Sequence, residues 1–494
     1  MRTKGAIAGV AMVGLGMTTA CNAVTGVGDL EIGDRGPSVT ARSSLIDMPG
    51  LTVKEIALYQ GVKVPLMTGG MAAKSDIPII EGRDALLRVF IETDASFSGD
   101  PVTARLFFDQ DPEPIETVQN VLGNSTDDKL DSTINFDVPG DKVTVVSGYR
   151  VILGKDSGPL PKGPLAKGYP EKGFDPIPAE SVGTTLKIMI APVAYGADGS
   201  NRLPDLSDAQ IQMYKDAFHS MYPAPSVEIT VRSEPIAWKY QVGAGGNGWG
   251  ELLDHVGTVR DQDKAPPDVY YFAPFMPTDS FGQFCGGGCV AGLGMLGQPS
   301  DTHSRAAIGL GYTGADTGVT ALHEIGHNHG RNHAPCGGAQ GVDPKYPHPG
   351  AQDGVWGYNL VSQQLYAPKI TDIMGYCTPV WISDYTFTAL AERIKFVNHA
   401  RVIVPPEQQN LLYDRVMIGA LGEVKWLAPA RLPEPPQAEP TSLVLESDGV
   451  SEVVTGQLYR FDHLDGGILF WPAPARATKA VRLTLGGKSV RVPR

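Results

Sequence analysis

Residues 323–333 read His-Glu-Ile-Gly-His-Asn-His-Gly-Arg-Asn-His, and this string leaves the chain little choice of local structure. His323 and His327 are four residues apart, so on a helix they share one face and reach a common point, with Glu324 projecting beside them. Gly330 permits a left-handed or sharply turned backbone, which ends the helix and swings His333 back towards the same point. Three neutral imidazoles with a neighbouring carboxylate form the donor set of a Zn2+ ion that keeps one coordination position open. The chain has only ten histidines, and His303, His323, His327, His329, His333 and His348 lie in one short region. A lone helical histidine is ordinarily solvated or hydrogen-bonded. Five positions in one register ask for a single explanation.

Downstream, Thr371-Asp372-Ile373-Met374-Gly375-Tyr376-Cys377 supplies a methionine in a turn-like context of the kind that accompanies the long histidine string. With both motifs the chain resembles the metzincin clan of zinc endopeptidases. The resemblance rests on about residues 305–385 and implies an α/β (α+β) catalytic domain with a twisted mixed sheet and an active-site helix. It puts Met374 beneath the three histidines and Tyr376 at the metal or the reacting carbonyl; packing is the alternative for both. Ala334 follows the third histidine, in place of the aspartate, glutamate or serine that mark known branches, so the branch stays open. The mucin-degrading, bacterial secreted metzincins are one candidate neighbour.

The resemblance implies hydrolysis of peptide bonds in protein or glycoprotein substrates, by zinc-activated water with Glu324 as general base. An edge strand over Val290–Leu296, including Gly292 and Leu293, is expected to take an extended substrate by strand addition. Trp381 is either a wall of the pocket beyond the scissile bond or plain core. Two other readings are a surface-binding lipoprotein that keeps the fold without turnover, and a zinc hydrolase of a non-protein amide. No cysteine precedes the catalytic domain except Cys21, so a propeptide thiol is not expected to plug the metal. A carboxylate from the N-terminal β region is the remaining candidate for latency. His329 is expected on the surface or behind the ligands; His303, His348 and His399 lack ligand spacing. Aspartates between Asp198 and Asp208 could bind structural Ca2+, but without the ligand order of a known calcium loop.

Arg2 and Lys4, an apolar run from Ala6 to Met17 and Thr18-Thr19-Ala20-Cys21 resemble a bacterial lipoprotein signal peptide. Cys21 would then carry the lipid and hold the chain at the cell envelope; an ordinary secretory leader is the alternative, given Thr18. Export suits the remaining Cys285, Cys289, Cys336 and Cys377, an even number with three possible pairings. The preferred pairing closes the Cys-Gly-Gly-Gly-Cys loop and joins Cys336 to Cys377, bracing the site. A four-thiolate metal site is the competing reading, but no C-x-x-C pair supports it. With 41 basic and 54 acidic residues the chain lacks the clustered cations of a nucleic-acid binder. Membrane association would come through the lipid alone; the oligomeric state is open.

The 494 residues are enough for several cores. A leader (1–21) and a Gly-rich tether (22–50) precede β-branched runs at 53–59, 85–93, 102–108 and 142–153, which predict a β-sandwich over 51–153. A Pro/Gly-rich linker (154–183) leads into alternating strands and helices at 184–400, the catalytic domain. There Ser207-Asp208-Ala209-Gln210 caps a helix running to Met221, and Ser383 caps one running to Asn398. The Gly- and Pro-rich loop 337–358 is expected to rim the cleft. Short strands at 443–446, 458–461 and 480–485 indicate a small C-terminal β module (401–494).

Overall fold

The computed structural model describes residues 43–399, 404–419 and 422–494; the leader and the lipidation candidate Cys21 lie outside them. Two antiparallel sheets make the N-terminal sandwich. Leu51–Tyr59, Lys63–Thr68, Ala85–Thr93 and Ile134–Val138 form one, and Val102–Phe108, Asp111–Gln119 and Gly148–Asp156 the other. Leu87, Val89 and Ile91 meet Ala104, Leu106 and Val151 between them, the inward face that period-two alternation creates. The opposite face of Ala85–Thr93 is covered too, since Leu86 and Phe90 pack with Tyr59 and Tyr358. The described end of the expected tether and parts of the expected linker are paired into the sheet of Gly148–Asp156. Leu45–Ile46 pairs with Lys155–Asp156, and Gly168–Tyr169 and Asp175–Pro176 pair with the same strand.

The central region is mixed α/β. Its five-stranded sheet runs Ser226–Val231, Thr185–Ile190, Val269–Phe275, Ala306–Leu310, Gly292–Gly294. All neighbours are parallel except the last pair, which is antiparallel. Five helices accompany it: α1 (Asp208–Met221), α2 (Trp249–Gln262), the short α3 (Phe281–Cys285), α4 (Ala315–Asn328) and α5 (Asp384–His399). Ser207 caps α1 by accepting from the Gln210 amide, and Ser383 accepts from Thr386 N at the start of α5. Tyr214, Phe218, Leu322, Ile325, Leu390 and Ile394 cover one face of the sheet. On the other face Trp249, Leu252, Leu253 and Val256 of α2 bury against Ala273, Phe275 and Ile308.

The C-terminal region is larger than a small module. Eight antiparallel strands form one sheet, built around Leu411–Ile418, Gly467–Pro472, Val450–Arg460 and Glu439–Ser447. Alternation splits its side chains between two cores. Val416, Leu458, Leu469 and Trp471 form a core of their own, whereas Met417, Tyr459, Ile468 and Phe470 join the α2 side of the central sheet. Arg415 and Asp254 form a buried ion pair across this contact. No helix among the described residues is long and apolar enough to cross a membrane.

One buried guanidinium ties the sandwich to the central region. Arg83 is fully buried and donates to the carbonyls of Gln60 (3.2 Å), Ala224 (2.8 Å) and His219 (2.5 Å), the last at the C-terminal turn of α1. Cationic donors at a helix C-terminus also meet its dipole favourably. Arg83→Met leaves these carbonyls without a donor, so we expect a loss of about 3 kcal/mol in urea unfolding, with faster proteolysis between residues 156 and 184 than in the parent chain.

Candidate metal centre

The histidine string forms the C-terminal half of α4, as its spacing requires. Leu322 and Ile325 anchor the helix in the core, which leaves Glu324 and His327 facing the edge strand Gly292–Gly294 and His323 against Ile373. Gly330 has φ +80°, and its amide donates to His327 O at 2.7 Å while Arg331 N donates to Gly326 O at 3.0 Å. The chain therefore reverses and brings His333 beside the other two, with ring centroids 4.8 Å (323 to 327), 5.3 Å (323 to 333) and 4.6 Å (327 to 333) apart.

Each ring is oriented by a main-chain carbonyl. Nδ1 of His323 donates to Ile373 O at 2.7 Å, Nδ1 of His327 to Arg331 O at 2.6 Å, and Nδ1 of His333 to Gln340 O. With the proton on Nδ1, each Nε2 carries the lone pair and points to the common centre. Burial, reinforced by the neighbouring imidazoles, drives the pKa of His323 well down and that of His333 to about 3, so both rings are neutral.

Met374 lies directly beneath α4. A Cβ at Gly326 would stand 2.5 Å from Met374 Sδ, so helix and turn touch only because that position has no side chain. The turn is secured by Ala334 N donating to Met374 O (3.0 Å) and Tyr376 N to Cys336 O (3.3 Å). The Cys336–Cys377 disulfide closes the same contact, and Cys285–Cys289 is the second bridge. Closing the 41-residue separation restricts the unfolded chain by about 4 kcal/mol on the loop-entropy account. Tyr376 is partly exposed, and its hydroxyl lies 3.1 Å from His333 Nε2.

Two further residues enter from the C-terminal sheet: Asp462 and His463, in the turn between Val450–Arg460 and Gly467–Pro472. The nitrogens and oxygens of His323, His327, His333, Asp462 and His463 lie within 4.8 Å of one another, the one such group among the described residues. Asp462 Oδ2 is 3.0 Å from His327 Nε2, and Asp462 Oδ1 accepts from Gly294 N at 2.9 Å. His463 Nε2 donates to Glu324 Oε1 at 3.0 Å, while its Nδ1 bonds the Tyr376 hydroxyl. Burial and the nearby Asp462 raise the Glu324 carboxyl to about 7, against the opposing pull of His463. Burial disfavours a charged His463, but Asp462 and Glu324 outweigh it and lift its pKa well above the ordinary range.

The donor set fits a cation. His323 Nε2 and Glu324 Oε2 are buried without hydrogen-bond partners, while Asp462 Oδ2 faces both His327 Nε2 at 3.0 Å and His463 Nε2 at 2.8 Å. Unpaired buried polar atoms cost about 1–3 kcal/mol each, and a metal ion held between them would remove that cost.

The structure chooses between several open sequence readings and corrects others. Trp381 is core: it is buried, donates to Gly61 O at 2.8 Å and stacks on Tyr366 at 4.0 Å. Leu293 is fully buried in the α2-side core and Val290 packs, partly buried, against the same core, so both side chains are spent on packing. Gly292 lies at the site as a bare backbone, since a Cβ there would stand 2.2 Å from Glu324 Oε1. His329 is not at the surface; it is buried, donates to Ile325 O and stacks on Tyr270 at 4.3 Å. Asp198 is engaged by Ser200 and Arg202, and Asp205 by Ser207 and Thr313, and the metal-ligand group found among the described residues includes none of the aspartates between Asp198 and Asp208. The carboxylate that reaches the histidines comes from the C-terminal sheet, not from the N-terminal sandwich. Comparison with protein-family models, curated proteins and solved structures gives no match to this chain.

Three aspartates sit under the methionine turn. Asp372 accepts from Met374 N and Ser383 N, and Asp384 bonds His348 at 2.6 Å, but both oxygens of Asp353 are buried and unpaired. Burial, with Asp372 and Asp384 adding to it, raises the Asp353 carboxyl to about 9. The folded chain thus keeps a proton that the unfolded chain releases near pH 4, and stability falls as pH rises from there towards 9. Asp353→Asn removes the penalty. Urea unfolding should show parent and variant equal near pH 4 and the variant ahead by about 4 kcal/mol at pH 7.

Proposed function

We propose that the chain is a zinc-dependent endopeptidase of metzincin type, acting on extracytoplasmic proteins. The observation that carries the reading is the convergence of three Nε2 lone pairs, each fixed from behind, with a buried carboxyl one residue after the first ligand. Three imidazoles and a vacancy suit Zn2+, which when bound lowers the pKa of water and polarises a carbonyl. Two intramolecular disulfides accord with an oxidising location, and the leader-like first residues accord with export.

The chain's own residues supply the rest. Glu324 Oε2, buried and unpaired, is free to take a proton from the attacking water and return it to the leaving amine. The Tyr376 hydroxyl, beside His333, is placed to donate a hydrogen bond to a carbonyl oxygen as negative charge develops on it. The edge strand Gly292–Gly294 offers main-chain groups to an extended peptide, and its glycines let that peptide lie close to Glu324.

The test combines metal analysis with digestion of a proteome-derived peptide library. Purified full chain, reconstituted with Zn2+, is assayed as it stands and with the Asp462→Ala/His463→Ala pair that clears the cleft. One zinc per chain is expected in both forms and chelator-sensitive new peptide termini in the cleared pair, where adding Glu324→Gln should lower the cleavage rate by about 10³-fold while retaining the metal. Full activity in Glu324→Gln, or no amide cleavage in any form with zinc bound, removes the peptidase assignment.

A further inference from the structure

The hairpin tip Phe461–Gly466 does four things in the cleft at once. It brings the Asp462 carboxylate, 2 % exposed, to 3.0 Å from His327 Nε2, with the same Oδ2 2.8 Å from His463 Nε2. Through His463 it engages both Glu324 and Tyr376, the two groups assigned above to proton transfer and to the oxyanion. Its backbone also occupies the edge strand's continuation, where Phe461 pairs with Met295 in an antiparallel bridge. Asp462 Oδ1 takes the amide of Gly294, a donor an incoming peptide would need.

The tip is firmly seated. Phe461 packs where a Cβ at Gly250 would stand 2.7 Å from its ring, and Leu464 where one at Gly246 would stand 2.5 Å from its side chain. Both contacts lie at or just before the N-terminus of α2. Behind the tip, the strands Val450–Arg460 and Gly467–Pro472 are paired to each other and built into the eight-stranded sheet. A ligand presented from a rigid sheet of the same chain acts at high effective concentration.

Resting on the zinc peptidase reading, we propose that the C-terminal sheet is an internal inhibitor of this site. Asp462 is the fourth ligand of the ion, His463 sequesters the base and the oxyanion donor, and Phe461 with the Asp462 carboxylate fills the substrate edge. With three imidazoles and the Asp462 carboxylate holding it, a zinc ion would have no position left for water, and the resting chain would hold the metal without turning over. Substrate enters only when the tip is displaced. The arrangement is not one for catalysis by Asp462 or His463, because both nitrogens of His463 are already bonded and Asp462 stands where water must bind.

Full chain loaded with Co2+ in place of zinc gives a readout independent of turnover. The parent should show a four-coordinate visible spectrum unchanged by millimolar acetohydroxamic acid. Asp462→Ala and Asp462→Asn, the latter keeping an acceptor for Gly294 N, should change the spectrum, bind acetohydroxamate at least tenfold more tightly and hold Zn2+ at least tenfold more weakly. With zinc, both variants and His463→Ala should cleave the peptide library at least tenfold faster than the parent. Equal hydroxamate affinity and equal cobalt spectra in parent and variants overturn the proposal, as does slower cleavage in the variants. Cleavage by the parent at the variants' rate overturns the inhibitor while leaving the peptidase standing. Hydroxamate binding gained without any cleavage sustains the stopper and overturns the peptidase.

Discussion

The Nδ1 protons of His323, His327 and His333 are donated to the carbonyl oxygens of Ile373, Arg331 and Gln340, and the rest of the cleft depends on those three bonds. They fix the tautomer and the ring plane of each imidazole, so that the Nε2 atoms converge on one point. Each carbonyl comes from a different piece of chain: the methionine turn, the reversal after Gly330, and the loop beyond the third histidine. The Cys336–Cys377 bridge and the Ala334–Met374 hydrogen bond hold the first and last of these together. Rigidity at the metal group is therefore a property of the surrounding backbone, and the histidines inherit it.

The same backbone needs support from below and behind. Gly326 lets Met374 pack against α4, Asp372 secures the turn through the amides of Met374 and Ser383, and Trp381 reaches across to Gly61 of the N-terminal sandwich. Together with Arg83, which runs the other way into α1, this makes the sandwich part of the site's foundation. On the opposite side the eight-stranded sheet shares a core with α2. Burying Met417, Ile468 and Phe470 there, at about 1.5–3 kcal/mol for each large side chain, is what keeps the Asp462 turn in place.

Periodicity and local chemistry made much of this legible in advance. The capped helices at Ser207 and Ser383, the long strands of the sandwich and the alternation of the central region all follow from patterns a few residues long, and they lie close to where those patterns put them. The two disulfides formed as expected, because 285–289 is a short loop and 336–377 links two segments that the histidine string and the methionine turn already draw together. Trp381, Leu293 and His329 were harder. A tryptophan after a turn, a leucine between glycines and a histidine on the far face of a helix each have two ordinary destinations, and only the packing of distant segments such as Gly61, Ile308 and Tyr270 chose between them. Asp462 and His463 carried little local signal, only a histidine flanked by Asp462 and Asp465 at a strand end.

By itself, the amino-acid order determined the three imidazoles, their neighbouring carboxyl and the turn that gathers them, because i, i+4 spacing and a glycine at positive φ act over one or two turns of chain. Tertiary structure alone decided what stands opposite them. Asp462 lies 129 residues beyond His333, on a sheet whose docking depends on alternation of side chains between two cores, and no short-range rule connects the two segments. Geometry that hydrogen bonds and torsions set locally can be read from neighbours in sequence. Juxtaposition driven by non-directional burial of apolar faces requires the folded chain.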